Sequence, residues 1–366
     1  MQRFRYIRIL AVMSMMAVPA GCSKKPDSPS RTLDQQIETV VSKYVQPDGP
    51  GCVVAVIREG DFLFAGGFGL ADIETKQPIT KETVFDAAAI SRQFTAANVA
   101  LLVINGAVAM DDNIRVFIPE MPRVDPPVTV GNLMYHTSGI ADYVEMLNRK
   151  GIAAVADDLD IVEMLAKEDM LFAAGAKYSP SRSDYFLLAF VVQRITSLTV
   201  AEWAEKLIFN PLAMSNTIFS DHPQKKPTNV ATGYEASDSQ GHHFKKSVRN
   251  LASIAGDAGL YTNVDDLLLW EKALYTADFG GDEFGKLINS VGKTSDGTDI
   301  DYVSGMDIRK LEGAQMLSCV GRTDGFSGAM LRVPQWKLTV ICVANRTDID
   351  IAALADGVIR LCVAKQ

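Results

Sequence analysis

The chain has 366 residues, 48% hydrophobic and 22% charged, which is enough apolar content to bury a large core in one composite domain or two ordinary ones. Its formal net charge is -8, and Arg3, Arg5 and Arg8 lie in a segment that export would remove, leaving the remainder more acidic still. A surface of that sign excludes nucleic acid as the expected partner.

The three arginines precede an apolar run from Ile9 to Val18 and then Pro19-Ala20-Gly21-Cys22, the three-part plan of an export signal. The run is too short to span a bilayer stably. Small residues directly before Cys22 resemble a bacterial lipobox, with Pro19 in place of the usual aliphatic residue. Residues 1–22 are therefore expected to be a lipoprotein signal with Cys22 as the lipidated residue, and 23–31 a polar tether containing two prolines. Plain cleavage after Ala20 and an uncleaved anchor are the alternatives. The expected location is the bacterial cell envelope, lipid-anchored and facing the periplasm or exterior.

The remaining sequence, 32–366, is read as one domain. Leu33, Ile37, Val40, Val41 and Tyr44 have helical spacing and end at the breaker Gly49-Pro50-Gly51. Cys52 to Ile57 and Phe62 to Phe68 are apolar runs joined by Arg58-Glu59-Gly60-Asp61, a hairpin pattern. From about 92 to 275 the chain reads mostly as helices joined by polar loops, with a helical subdomain over about 115–250 and an exposed loop region at 221–250. Met316 to Val320, Ala329 to Val333 and Leu338 to Val343 read as strands, and Ile349 to Cys362 as a helix. Strands at both ends around a helical centre predict an α+β fold: an antiparallel sheet built from both chain ends, flanked by helices, plus a helical subdomain.

Cys52, Cys319, Cys342 and Cys362 lack Cys-x-x-Cys spacing, which argues against structural zinc. Buried free thiols and disulfides both fit their number. His136 and the loop histidines His222, His242 and His243 form no metal-ligand pattern, and neither a metal nor another cofactor is expected.

Seven segments, in order, resemble the superfamily of class C beta-lactamases and D-alanyl-D-alanine peptidases. They begin at Phe85 (FDAAAISRQF), Gly131 (GNLMYHTSG), Ala174 (AGAKYS, then SDYFLLA), Ile208 (IFNPLAMSNT), Ala231 (ATGYE), Ala255 (AGDAGLYTN) and Gly321 (GRTDGFSG). The resemblance implies a beta-lactamase/transpeptidase-like fold and acyl transfer to a serine, with a base beside it and donors for the oxyanion. It also implies that His136 belongs to a structural turn.

The motifs that should carry this chemistry are altered. In Ser-x-x-Lys the serine position is Ala89, which has no oxygen, and the lysine position is Arg92, whose guanidinium cannot act as a base near neutral pH. Ser91 lies two residues beyond, turned by about 200° around a helix, and three residues after it stands Phe94 rather than lysine. The Tyr-x-Asn positions are Pro180 and Arg182; Tyr178 is two residues too early, and Tyr185 fits a downstream packing position. The Lys-Thr-Gly or His-x-Gly motif reads Arg322-Thr323-Asp324, with a cation at Arg322 but Asp324 where glycine lets substrate approach. Backbone N–H groups of Ala89 and Gly325 are the expected oxyanion donors.

Three cleft positions thus carry arginine: Arg92, Arg182 and Arg322. Converging in one cleft, they would either pair with acids such as Asp324 or receive an anionic ligand. The expectation is a family member without catalytic residues, with Arg92, Arg182, Arg322, Asp324 and Gly325 as candidate binding residues for a cell-wall peptide or small anion. A hydrolase of the family's ordinary kind and one with a relocated nucleophile are the alternatives.

Overall fold

The computed structural model describes residues 31–152, 157–220, 227–237, 243–247 and 255–363. The expected export signal with Cys22, the expected tether up to Ser30, His222 and His242 lie outside them. Glu59 and Gly60 take positive φ of 55° and 87°, the backbone of a tight two-residue hairpin, and so join strand β1 (Cys52–Arg58) to β2 (Asp61–Phe68). The C-terminal part adds β3 (Tyr302–Val303), β4 (Met306–Leu311), β5 (Ala314–Thr323), β6 (Phe326–Val333) and β7 (Leu338–Ala344). Together they form one antiparallel sheet in the order β3-β4-β5-β6-β7-β1-β2, so the two chain ends meet where β7 pairs with β1.

Each face of the sheet buries a separate apolar layer. On one side α1 (Leu33–Val41) and the C-terminal helix α6 (Ile351–Val363) cover residues such as Val54, Met316 and Val340 with Ile37, Leu354 and Val358. On the other, α2 (Ser91–Ile104) packs with α4 (Arg182–Thr196) and α5 (Val264–Ala273); Phe94 of α2 lies 4.6 Å, ring centre to ring centre, from Trp270 of α5. Full burial of such a side chain is worth about 1.5–3 kcal/mol, which fixes α2 against the sheet. The helix α3 (Tyr143–Lys150) starts beside the start of α4: the Tyr143 N–H donates to Ser183 Oγ at 2.8 Å, and Ser183 Oγ donates to the Ala141 carbonyl at 2.5 Å.

Two features depart from the sequence reading. Strands β3 and β4 were not anticipated, and the region 221–250, expected to be loop, contains a short hairpin of Tyr234–Ala236 with Phe244–Lys246. Among the described residues no single helix is long and apolar enough to cross a membrane. Cys52, Cys319, Cys342 and Cys362 are buried, and none of them forms a disulfide among the described residues.

Candidate functional site

Helix α2 is entered through a sharp turn. Ala88, fully buried, holds a left-handed φ of 51°, a conformation costing about 1–2 kcal/mol for a residue with a side chain, and its N–H donates to Asp86 Oδ1 at 2.9 Å. This turn presents Ala89 to strand β5. A Cβ built on Gly321 would sit 2.4 Å from the Ala89 Cβ, so the strand passes directly over the methyl group, which is 7% exposed. Ser91 is fully buried; its hydroxyl donates to the Ala88 carbonyl at 2.6 Å and accepts from the Leu260 N–H at 3.2 Å. Both roles are structural.

Arg92 lies one turn further along, its guanidinium carbon 5.8 Å from the centre of the Tyr185 ring. Burial acts to lower its pKa, but Tyr302, Asp257, Cys319 and Tyr185 around it hold it above its ordinary value. Its Nε has no hydrogen-bond partner, and no carboxylate is within ion-pair distance of it among the described residues. Nearby, His136 Nδ1 and Asp184 Oδ2 are 2.7 Å apart, both fully buried, and the Ser138 hydroxyl donates to Asp184. Burial, and then the Arg92 charge, push the imidazole well below its usual pKa; burial raises that of the Asp184 carboxyl. The Tyr302 ring lies 4.8 Å from the imidazole, centre to centre, tilted by 57° to it. Tyr178, two residues before the motif, is engaged elsewhere, its hydroxyl 2.9 Å from Asp307 Oδ1 on β4.

The three arginines do not all converge: Arg182 and Arg322 border one cavity, and Arg92 does not. Side chains alternate along a strand: Leu317 and Cys319 of β5 belong to the α2 layer and Met316 to the α1/α6 layer. With unbroken β5–β6 register to Thr323, Gly321 and Thr323 face Ala89 while Arg322 projects to the other side. There its Nη2 donates to the Ile349 carbonyl at 3.2 Å. Asp324 and Gly325 are the two residues of the β5–β6 turn, between the paired Thr323 and Phe326, with Gly325 at φ 78°. Asp324 is exposed rather than buried. Gly325 abuts Gly233, and its carbonyl accepts from the Tyr234 N–H at 3.2 Å. That turn lies two strand steps, about 7 Å, beyond Gly321, so Gly321 rather than Gly325 adjoins position 89. Pro180 is exposed. Arg182, first residue of α4, is half-exposed; its N–H donates to Asp142 Oδ2 at 2.8 Å, and its Nη1 is 3.7 Å from Asp142 Oδ1.

Beside the turn is a cavity of about 480 Å³ whose wall includes Asp86, Tyr143, Arg182, Asp257, Arg322 and Asp324. Neither Ala89 nor Arg92 lines it. Asn345, fully buried, fixes one wall to the sheet: its Oδ1 accepts from the Gly51 N–H at 2.7 Å and its Nδ2 donates to the Thr232 carbonyl at 2.9 Å. Asp257 was not singled out from the sequence. It is 4% exposed, accepts from the Tyr143 hydroxyl at 2.9 Å, and is held by a bend whose Gly256 carbonyl accepts from Thr95 of α2 at 2.6 Å.

Burial raises the Asp257 pKa from 3.8 to about 6, against the lowering influence of Arg92 and Tyr143. A carboxyl that binds its proton more tightly when folded stabilises the protein below its unfolded pKa and loses that contribution as pH rises to the folded value. Asp257→Asn is therefore expected to match wild type at pH 4 and exceed it at pH 8, by up to about 3 kcal/mol. Thermal unfolding at the two pH values checks this; equal stability at pH 8 would mean that the carboxylate is well solvated.

Comparison with known proteins gives the lineage. The Beta-lactamase family profile matches residues 34–362. The chain is 26% identical over 322 residues to a D-aminopeptidase of Gluconobacter oxydans, covering 87% of this chain and 59% of that protein. It is also 26% identical over 311 residues to a penicillin-binding protein of Bacillus subtilis, covering 81% and 68% respectively. The chain thus spans only 59% of the length of the D-aminopeptidase. A penicillin-binding protein homologue from Pyrococcus abyssi shares the fold with a TM-score of 0.77 at 23% identity, over 91% of this chain and 77% of that one. A D-amino acid amidase from Ochrobactrum anthropi does so at 0.73 and 17%, over 91% and 99%. With the profile running from α1 through the turn at Ala89 and the sheet into α6, the chain belongs to the Beta-lactamase family.

Proposed function

We propose that this protein is an exported, lipid-anchored family member that binds a small peptide-like ligand in its cleft without acyl transfer. Position 89 carries the reading: a methyl group packed beneath Gly321, with the nearest serine, Ser91, turned away and fully bonded. The guanidinium of Arg92 offers no base. A cleft remains beside it, and among the described residues no strand pairs with β5 beyond Ser318 on the side away from β6, an edge to which an extended peptide could add. The names of the relatives, a D-aminopeptidase and a penicillin-binding protein, point to cell-wall peptides as a source. A simple anion fits less well, because Asp86, Asp257 and Asp324 line the cavity along with Arg182 and Arg322.

Treated with a fluorophosphonate or a penicillin-type probe, the intact protein should show no added mass. A stoichiometric adduct on any serine would instead establish a relocated nucleophile. Membrane attachment is tested separately: wild type should require detergent for release, since several acyl chains on one cysteine hold far more strongly than a single chain. Cys22→Ala should be soluble or unprocessed. Wild type already soluble in the periplasm would favour cleavage after Ala20.

A further inference from the structure

We propose that the cavity recognises a protonated amine, with Asp257 as the group that receives it and Arg182 at the rim meeting the ligand's carbonyl or carboxylate end. This rests on the reading of the cleft as a binding site and names the ligand class: an amino acid or the amino terminus of a short peptide.

The argument begins with the cost of burying charge. A carboxylate removed from water is expensive unless a cation or several donors compensate it. Asp257 is 4% exposed and accepts one hydrogen bond, from Tyr143; no cation lies within 4.0 Å of it among the described residues. Arg92 acts on it only at longer range. Yet this residue forms part of a cavity wall, where a ligand can supply the missing positive charge. Arg182 borders the same cavity, and its charge acts on both Asp257 and Tyr143. Its contact with Asp142, at 3.7 Å, is too long for a hydrogen bond, which leaves its planar donors for a carboxylate or carbonyl. Tyr143, Tyr261 and Phe326 add apolar surface, and Thr323 Oγ1 on the same wall has no hydrogen-bond partner. A volume of about 480 Å³ is within the range of small-ligand sites. A buried acid, a half-exposed guanidinium and aromatic rings lining one cavity match an α-amino acid with an apolar side chain.

The site also has a defined pH response. The charged and titratable groups facing Asp257 are Arg92 from α2, Asp142 and Tyr143 at the start of α3, and Arg182 from α4, with Asp86 in the same cavity. With its pKa near 6, Asp257 carries its charge at pH 7.5 and largely loses it at pH 5, a larger change than that of an α-amine, which with a pKa of about 7.7–8.0 is partly deprotonated at pH 7.5 and fully protonated at pH 5. Amine binding should therefore weaken on acidification.

The experiment is calorimetric titration of the full-length protein in detergent with three racemic probes at pH 7.5 and pH 5. Phenylalanine has both charged ends, phenylalaninamide only the amine, and N-acetylphenylalanine only the carboxylate. Phenylalanine and phenylalaninamide should bind at pH 7.5, N-acetylphenylalanine at least about tenfold more weakly, and phenylalaninamide should weaken about tenfold at pH 5. Asp257→Asn, which keeps the Tyr143 hydrogen bond, should lose phenylalaninamide binding while remaining folded by circular dichroism. Preference for N-acetylphenylalanine, unchanged binding in Asp257→Asn, or no response to any probe at about 10 mM each overturns the proposal. An unlabelled protein that ignores amines would refute this inference alone, whereas a covalently labelled one would refute the non-hydrolysing reading whatever its amine binding.

Discussion

Ala89→Ser alone is expected to leave hydrolysis of amide, ester and beta-lactam substrates at the level of the uncatalysed reaction. The substitution would restore a hydroxyl at the start of α2 but nothing to deprotonate it. One helical turn on, where a lysine would reach the same face, stands Arg92, whose neighbours hold its pKa above an already high value. His136 is fully buried, with Nδ1 engaged by Asp184. Pro180 and Arg182 stand at the positions where the resemblance implies the phenol and amide that would move the proton and hold the substrate. Residues of such a site act as a unit, so that removing any principal member costs nearly the full rate, about 10⁶-fold in one serine protease; returning one member therefore recovers little. Ala89→Ser combined with Arg92→Lys, Pro180→Tyr and Arg182→Asn should form a covalent adduct with a penicillin-type probe more readily than Ala89→Ser alone, the glycine beside position 89 being already present as Gly321. Turnover by Ala89→Ser more than about 100-fold above background, a gain of about 2.7 kcal/mol in barrier, would show that another group already serves as base.

The same residues show how far the sequence could be read. The β1–β2 hairpin, the strands β5 to β7 and helix α6 were legible because their runs are apolar and their turns carry marked residues such as Glu59-Gly60. β4 was not: Asp307, Arg309 and Lys310 are polar, and only its end residues Met306 and Leu311 are buried, so it lacks a clear apolar alternation. In the site, Ala89, Arg92 and Arg182 were named from their flanking segments. The error over Arg322 was one of facing, since adjacent strand positions point to opposite sides of a sheet. Asp324-Gly325 is itself a hairpin-turn signal; placing it there would have assigned Gly321 to the Ala89 side and Arg322 to the other. Asp257 was present in a segment used for alignment, but its importance comes from burial in a cavity wall built by residues distant in sequence.

Replacing Glu271 by alanine is expected to destabilise the protein by about 3–5 kcal/mol, the usual effect of leaving one member of a buried ion pair without its partner. Glu271, on α5, is 1% exposed; its Oε2 lies 2.7 Å from Arg332 Nε on β6, and its Oε1 accepts from Thr339 Oγ1 on β7 at 2.7 Å. Arg332 and Thr339 are directly paired across the two strands, so one carboxylate clamps α5 to a single rung of the sheet. The guanidinium also lies 5.5 Å from the centre of the Tyr275 ring. Arg332→Met should be comparably damaging, because it leaves the carboxylate buried without its cation. The Glu271→Leu, Arg332→Met double variant removes both charges and should recover most of the loss, since well-packed apolar residues often match or exceed a buried ion pair in stability. Denaturant midpoints at constant m-value for the single and double variants form the cycle that measures this coupling. Simple addition of the two single losses in the double variant would show that packing of α5, rather than the charge pair, holds the helix to the sheet.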